Sequence, residues 1–300
     1  MSGAGPARSY ARKRPVPAPV WWRTRRNRER LADLGAHLLL MPVALAIAFP
    51  FLWILLSALR PADQLYDGRL LPGALTLEHF AWALGQPAFL QPLRNTVVVA
   101  TTAALLTLAL AVLAAYSLVA YPYRGKRSIL VTLLLVNLLP GVLLVVPVFL
   151  LVRSLGLHDT LTGLVLVTTA LGAPPVTLLL RGIFTAVPRD LVDAAMLDGA
   201  GRLGALWRVV LPLSRPGMVV GAMSSVVLVW NDVLYALVLT RGPATQTIGV
   251  ALTAQAQAQF SVVNWSGLLA EGVLVTLPVV LAFAVLQRHL VQGVASTGLR

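Results

Sequence analysis

The stretch that decides the fold runs from Asn95 to Val119, NTVVVATTAALLTLALAVLAAYSLV, and it contains no charged residue. A helix needs about 20 apolar residues to cross the hydrocarbon core of a bilayer. Backbone groups in that core must be hydrogen-bonded within the chain, and an α-helix satisfies them within one segment. The stretch therefore predicts a transmembrane helix.

Five further stretches of this kind flank it along the chain. They are Leu34–Leu59, Ser128–Val152, Leu161–Leu180, Gly217–Thr240 and Leu268–Leu286. In chain order, only the fifth and the sixth stretch carry a charge, Asp232 and Glu271 respectively. Each stretch is close to the length that spans a bilayer. The sequence predicts an all-α polytopic membrane protein with six transmembrane helices.

The composition excludes several classes of protein. Hydrophobic residues make up 58% of the chain and charged residues 12%, against about 25% charged in typical soluble proteins. This excludes a soluble enzyme, a disordered chain and a disulfide-stapled domain. Cysteine is absent, and the four histidines have no metal-ligand spacing. We therefore expect no metal site, no catalytic residues and no enzymatic activity.

The distribution of basic residues predicts the orientation in the membrane. With six spans both termini lie on one side, and that side holds 19 of the Lys and Arg residues against five on the other. Short cytoplasmic loops are enriched in Lys and Arg, so both termini are expected in the cytoplasm. We attribute the net charge of +13 to this bias and to anionic lipid, and expect no nucleic-acid partner.

The same reading gives the domain boundaries. Residues 1–33 form a basic tail that is expected to be disordered, and residues 34–290 form the transmembrane domain. Residues 291–300 form a cytoplasmic tail. The transmembrane domain includes one long cytoplasmic loop, residues 181–216, which we call the 181–216 loop.

The 181–216 loop is not a simple linker. Pro188 suits the first turn of a helix, and Gly199 is a suitable stop for it. Val187, Leu191 and Ala194 or Ala195 would share one face of that helix. A second short helix is expected over Arg202–Val210, ended by Pro212. By residue type alone, a docking element and an amphipathic pair on the membrane surface are equally compatible with this pattern.

The spacing within the loop favours docking. Asp193-Ala194-Ala195 is followed after three residues by Gly199, after nine more by Val209, and then by Leu211-Pro212. This resembles the EAA loop of binding-protein-dependent ABC importer permeases, with Asp193 in place of Glu and Val209 in place of Ile. Other segments resemble the carbohydrate-uptake branch of maltose and glycerol-phosphate type. They are Arg94–Thr96, Ala114–Ser117, Leu155–Thr160, Leu180–Phe184, Trp230–Asp232 and Gln287–Gly293.

The resemblance implies an ABC type I importer permease fold and an inner-membrane permease subunit for a sugar or related solute. It implies four kinds of partner besides lipid: a second, different permease subunit, a dimer of ATP-binding subunits, an extracytoplasmic solute-binding protein and the solute. ATP would be bound by the separate subunit, so no cofactor is expected in this chain. The implied coupling positions are Asp193, Ala194, Ala195, Asp198, Gly199, Ala200, Leu211 and Pro212.

Polar residues inside the spans are the candidates for the transport path. They are Trp230, Asn231, Asp232, Tyr235 and Asn137. A structural role is the alternative, with Asp232 facing a partner subunit and Asn137 bonded to a neighbouring helix. Glu271 is expected near the outer interface of the sixth span.

The outer loop 241–267 is rich in amides. It carries Gln246, Gln255, Gln257, Gln259 and Asn264. The resemblance implies contact with the solute-binding protein there, and a solvated loop is the alternative. Two other functions remain open for the whole chain: a secondary transporter, which would need paired intramembrane charges or inverted repeats, and an ABC importer permease for a non-sugar solute.

Overall fold

The computed structural model describes residues 20–69, 71–258 and 264–297. These residues divide into two compact units, with the boundary between Ile54 and Leu55. In the first unit the described residues belong to helix α1, Val20–Ala58, whose residues 55–58 lie in the second unit. The predicted tail 1–33 is partly outside the described residues, and α1 covers the rest of it.

The regular secondary structure in the described part of the second unit is helical. Its helices are α2 (Glu78–Leu84), α3 (Pro87–Ala120), α4 (Lys126–Leu138), α5 (Gly141–Ser154), α6 (Leu161–Thr185), α7 (Arg189–Leu197), α8 (Gly201–Ala205), α9 (Leu211–Leu213), α10 (Arg215–Trp230), α11 (Leu234–Leu239), α12 (Ile248–Ala258) and α13 (Trp265–Thr297). A single 3₁₀ turn covers Ala62–Gln64, and a π-helical turn, Leu206–Val210, joins α8 to α9.

Six spans emerge if bent helix pairs are counted as one span each. Among the described residues, four helices are long and apolar enough on their own, and two pairs bent by 102° and 81° complete the set. The single helices are Ala36–Ala58, Pro87–Ala120, Leu161–Thr185 and Trp265–Val285, and the bent pairs are Lys126–Leu138 with Gly141–Ser154 and Gly201–Leu213 with Arg215–Trp230.

The core of the second unit is built on α3 and α6. These two helices form the central pair, α10 packs against both, and α13 packs against α10 and α2. Small side chains allow the close approach. A Cβ added at Gly172 of α6 would lie 3.3 Å from Oγ1 of Thr107 in α3, and one added at Gly221 of α10 would lie 3.1 Å from Val176. Helix contacts in membranes are enriched in such small residues.

The third predicted stretch, Ser128–Val152, is bent rather than straight. α4 ends at Leu138, and Leu139 is extended with ψ 128° before Pro140. A residue that precedes proline is disfavoured in the α region because its own backbone clashes with the proline ring. The prediction of one continuous helix was therefore wrong at this position.

The fifth predicted stretch, Gly217–Thr240, is also broken. α10 ends at Trp230 and α11 begins at Leu234. In the gap, Oδ1 of Asp232 accepts a hydrogen bond from the backbone N–H of Tyr235 over 3.1 Å. Short polar side chains that bond nearby backbone groups compete with a continuous helix. The loop 241–267, for which no helix was predicted, contains α12.

Candidate functional site

Helix α7 of the 181–216 loop exposes most of its surface. Val192 packs partly against the core and Ala195 is half-buried, whereas Leu191 is 48% exposed and Leu197 is 89% exposed. The predicted common helix face of Val187, Leu191 and Ala194 or Ala195 is therefore wrong at Val187, because the helix begins only at Arg189. Val192 is the α7 residue that packs against the core. α7 presents Leu191 and Leu197 outward, uncovered by any other described residue of the chain.

The end of α7 confirms the predicted stop at Gly199. The N–H of Gly199 donates to the oxygen of Met196 over 3.1 Å, and the N–H of Ala200 donates to the oxygen of Ala195 over 3.0 Å. These two bonds form a Schellman motif. Gly199 has φ +84°, and a Cβ added there would meet nothing within 4 Å. Backbone conformation, not crowding by the described part of this chain, is therefore the reason for glycine.

Sequence reasoning did not single out Gly201, which has φ +59° and follows Gly199 closely. The run Gly199-Ala200-Gly201 in the sequence could have indicated a second glycine in the turn. Two left-handed residues in three make the turn after α7 sharp.

The second half of the loop is anchored to the core. Leu206, Val210 and Leu211 are buried in a cluster with Ala115 and Phe184. The expected helix Arg202–Val210 exists in part, as α8 and the π-helical turn, but Pro212 does not end it, because α9 continues to Leu213. Pro212 follows residues in helical conformation and lies within the helical run Gly201–Leu213.

Arg202 ties the loop to the end of α3. The hydroxyl of Tyr116 donates to the main-chain oxygen of Arg202 over 2.7 Å, and the Arg202 guanidinium carbon lies 4.7 Å from the ring centre of Tyr121. Such cation–π contacts contribute about 0.5–1 kcal/mol at exposed sites. The sequence did not indicate these partners, which are far apart along the chain.

The implied coupling positions do not form a single surface. Asp193, Ala194, Asp198 and Gly199 are exposed on α7 and its cap, and Ala195 and Ala200 are half-buried. Leu211 is buried and Pro212 is exposed on α9. The first group can meet a partner directly, whereas Leu211 belongs to the core that holds the loop.

The candidate path residues lie around the two helix breaks. Tyr235 is 6% exposed, and its hydroxyl donates to the main-chain oxygen of Gly141 over 2.8 Å. Asp232 caps α11 through Oδ1, while its Oδ2 is buried and has no hydrogen-bond partner among the described residues. Trp230 is half-buried beside the break. The break in the fifth stretch therefore contacts the corner between α4 and α5.

The two asparagines of the predicted path are exposed and bond within their own helices. Asn231 donates to the oxygen of Val227 over 2.9 Å, and Asn137 donates to the oxygen of Leu133 over 3.0 Å. The suggestion that Asn137 bonds a neighbouring helix was therefore wrong. Nothing in this geometry joins Asn137 to Asp232.

Asp159 lies just before α6, at the end of that helix opposite the 181–216 loop. Its Oδ1 accepts hydrogen bonds from the N–H groups of Arg241 and Gly242, over 2.8 and 3.2 Å, and a short one from the hydroxyl of Thr245. The Thr245 bond first, and then the two backbone bonds, lower the pKa of Asp159 to about 2. Its φ of +58° lies in the left-handed region that Asp tolerates better than most residues.

Asn95 and Thr96 hold the same segment, residues 241–248, from the start of α3. Nδ2 of Asn95 donates to the oxygens of Ala244 and Gln246, both over 2.9 Å. Oγ1 of Thr96 accepts from the N–H of Ile248 over 2.8 Å. In the sequence, Asn95 and Thr96 belong to a segment that resembles the carbohydrate-uptake branch. No role was predicted for either residue.

Glu271 and the amide residues of the 241–267 loop differ in burial. Glu271 is 0% exposed, in a helix that packs against α2, α10 and α12. Gln246 and Gln255 line a cavity of about 840 Å³. Gln257 and Asn264 are exposed, and Gln259 lies outside the described residues.

Three comparisons connect this architecture to known proteins. Residues 107–296 match the family described as "Binding-protein-dependent transport system inner membrane component". The chain is similar to the trehalose transport system permease protein SugB of Mycobacterium tuberculosis, with 32% identity over 82% of this chain and 90% of that protein. It is similar to the sulfoquinovosyl glycerol transport system permease protein SmoH of Agrobacterium fabrum, with 34% identity over 84% and 88%.

A solved structure supports the fold. The crystal structure of a bacterial ABC transporter involved in the import of the acidic polysaccharide alginate matches with a TM-score of 0.74 and 24% identity, over 87% of this chain and 96% of that chain. The fold expected from the sequence, that of an ABC type I importer permease, is therefore confirmed. The family model covers well over half of the chain, and the chain belongs to the binding-protein-dependent transport system inner membrane components.

Proposed function

We propose that this chain is the permease subunit of an ATP-driven importer for a sugar or related solute, and that it forms half of the translocation path. Two relatives at more than 30% identity are named as permeases for trehalose and for sulfoquinovosyl glycerol. Both names denote glycosidic solutes. The chain itself would carry the solute without catalysing a reaction and would bind no cofactor.

The exposed face of α7 carries this proposal. Leu197 and Leu191 point outward, Gly199 fixes the turn with its positive φ, and the second half of the loop is held in the core. An apolar, rigidly mounted helix suits a groove on a partner protein. We assign this face to a dimer of ATP-binding subunits. The proposed coupling residues are Asp193, Ala194, Ala195, Asp198, Gly199, Ala200, Leu211 and Pro212.

Charge supports the proposed orientation and the remaining partners. The 181–216 loop and both termini would lie in the cytoplasm, on the side that holds most of the Lys and Arg residues. The outer end, where Asp159 and Asn95 fix the segment 241–248, would then face the extracytoplasmic solute-binding protein. A second, different permease subunit would complete the path.

The proposed path passes the two helix breaks. Non-helical backbone at membrane depth is tolerated where it lines a cavity or lies within protein. Trp230 and Tyr235 offer aromatic faces for sugar rings, and Asn231, Asp232 and Asn137 offer polar groups for hydroxyls. The hydroxyl of Tyr235 donates a hydrogen bond to the main-chain oxygen of Gly141 in this structure. It can donate to a solute only if that hydrogen bond breaks.

Co-purification tests the assignment. The tagged chain is extracted from its native membrane in mild detergent after crosslinking from α7, for example from a photoreactive residue at Leu197. Capture of a P-loop ATPase and a second permease supports the importer, and the ligand of the cognate binding protein then identifies the solute. Recovery of the chain without an ATPase would contradict the coupling assignment and favour a secondary transporter. A non-sugar ligand would contradict the sugar assignment alone.

A further inference from the structure

A cavity of about 410 Å³ lies between the start of α4, the start of α7 and the end of α3. We call it the α4–α7 cavity. Lys126, Arg189 and Arg202 contribute three cationic side chains to its wall, and Asp193 contributes one carboxylate. Its apolar and aromatic lining includes Tyr116 and Tyr121. Positive charge therefore exceeds negative charge around it.

The three cations retain unused hydrogen-bonding capacity. Among the described residues, no carboxylate lies within ion-pair distance of Lys126, Arg189 or Arg202. The Arg202 guanidinium stacks on Tyr121 and makes a single long bond, 3.5 Å, to the oxygen of Ala120. Five N–H donors are available to an arginine, so most of them remain for a ligand. The stacking also fixes the direction in which they point.

Anions with several oxygens match this arrangement best. Arginine binds phosphate through two parallel N–H donors, and lysine contributes a point charge. Lys126 and Arg189 are also the first residues of α4 and α7, where the unpaired backbone N–H groups add positive potential. Arg189 and Arg202 are exposed and Lys126 is half-buried, so a ligand can reach all three cations from solvent.

The position of the cavity indicates where such a phosphate could come from. α4 starts at Lys126 and continues with apolar side chains that are exposed in this chain, among them Ile129 and Val131. A phospholipid with its acyl chains along this face would bring its headgroup to the start of α4. Basic and aromatic side chains at a membrane interface favour anionic headgroups. A soluble phosphate ester could supply the same chemical group.

We propose that the α4–α7 cavity is a binding site for a phosphate group, supplied by the headgroup of an anionic phospholipid or by a soluble phosphate. Because the cavity adjoins Asp193, an occupied site would place a bound anion directly behind α7. This assignment concerns the chain's own cations and is independent of the identity of the transported solute.

Lipid binding to the full-length chain tests the proposal. The purified chain is titrated with phosphatidylglycerol or phosphatidylcholine, and native mass spectrometry measures the bound fraction. Lys126→Gln and Arg202→Gln are each expected to weaken phosphatidylglycerol binding roughly tenfold, the loss typical of one hydrogen bond to a charged group. Asp193→Asn removes a repelling charge and is expected to strengthen binding. Arg127→Gln is the matched control, because Arg127 neighbours Lys126 but does not line the cavity.

Inorganic phosphate, added to the lipid-free chain, distinguishes the two sources. Preference for phosphatidylglycerol over phosphatidylcholine that depends on Lys126 identifies a lipid site. Binding of inorganic phosphate with the same dependence, without lipid preference, identifies a soluble ligand. Equal effects of Arg127→Gln and Lys126→Gln, or no binding of either probe, would overturn the proposal. Lys126→Gln keeps the test valid if Arg202→Gln disturbs the loop, because no described contact of Lys126 holds the fold.

Discussion

Tyr235 donates its phenolic hydrogen to the main-chain oxygen of Gly141, 2.8 Å away, and so joins two interrupted helices that are far apart in the chain. Gly141 begins α5 directly after the bend at Pro140, and Tyr235 lies in α11 directly after the break at 231–233. The backbone N–H of Tyr235 also donates a hydrogen bond to Oδ1 of Asp232, which caps α11. A change in either bend must therefore move or break this contact.

Tyr235→Phe is expected to slow solute uptake without preventing membrane insertion. The substitution removes the hydroxyl and keeps the ring, so the packing of α11 is retained. A hydrogen bond of this kind contributes about 1 kcal/mol net, which corresponds to roughly a fivefold change in the population of the joined arrangement. Uptake of labelled solute by cells that carry the complete importer measures the effect. Tyr123→Phe is the control, because Tyr123 is exposed; similar losses from both variants would count against a role for the Tyr235 bond.

Gly199→Ala is expected to reduce ATP-driven uptake through the conformation of the α7 cap. A side chain with φ near +84° is strained by about 1–2 kcal/mol, and the Schellman bonds of Gly199 and Ala200 would weaken. Gly199→Asn should retain more activity, since asparagine tolerates left-handed conformations. Uptake and ATPase stimulation by the loaded binding protein, measured side by side, report the coupling.

Gly182→Ala provides the comparison within the same part of the chain. Gly182 lies inside α6 without a positive φ, and a Cβ added there meets nothing within 4 Å. Alanine should be neutral or slightly stabilising in a helix interior. If Gly199→Asn lost as much activity as Gly199→Ala, crowding by the partner protein would explain Gly199 better than backbone conformation.

The sequence predicted the spans well because apolar length is a local property. α6 begins at the predicted Leu161, whereas α3 begins before the predicted Asn95, at Pro87. The breaks at 139–140 and 231–233 could not be predicted in the same way. Proline alone does not decide a bend, since Pro147 and Pro174 lie inside uninterrupted helices.

The partners of the site residues were beyond the reach of one sequence. Tyr116 contacts Arg202, and Asp159 contacts Arg241, across more than eighty residues of chain. Such pairs depend on how α3, α6 and the loops pack against one another. Hydrophobic periodicity carries no information about that packing. The Gly199 stop was predictable because a helix cap is local.

Asp159 is expected to make the segment 241–248 sensitive to acid. Its pKa is about 2 in the folded chain and 3.8 when unperturbed. The stabilisation from a lowered carboxyl pKa is complete above the unperturbed value and is lost as the pH falls through the folded value. Hydrogen exchange of the Arg241 and Gly242 amides, corrected for intrinsic rates, should therefore accelerate as the pH falls from 3.8 to about 2.

Two variants separate charge from hydrogen bonding at this position. Asp159→Asn keeps an acceptor oxygen and should remove the pH dependence while retaining part of the protection. Asp159→Ala removes the acceptor, and the two amides should exchange rapidly at every pH. Asp63→Asn, at an exposed position, should change neither amide. Persistent acid sensitivity in Asp159→Asn would assign the effect to another group.

Gly172→Val is expected to disrupt the packing of α3 against α6. Even a Cβ at Gly172 would lie 3.3 Å from Oγ1 of Thr107, and Thr107 is 1% exposed, so two further methyl groups have no space. Overpacking of this kind costs about 1–3 kcal/mol. The thermal midpoint of the detergent-solubilised chain should fall, and Thr107→Ala in the same chain should restore part of it by opening space. Gly272→Val is the matched control, because a Cβ there meets nothing within 4 Å. An equal fall of the thermal midpoint in both variants would show that valine itself destabilises these helices. The Thr107 contact would then not be the cause.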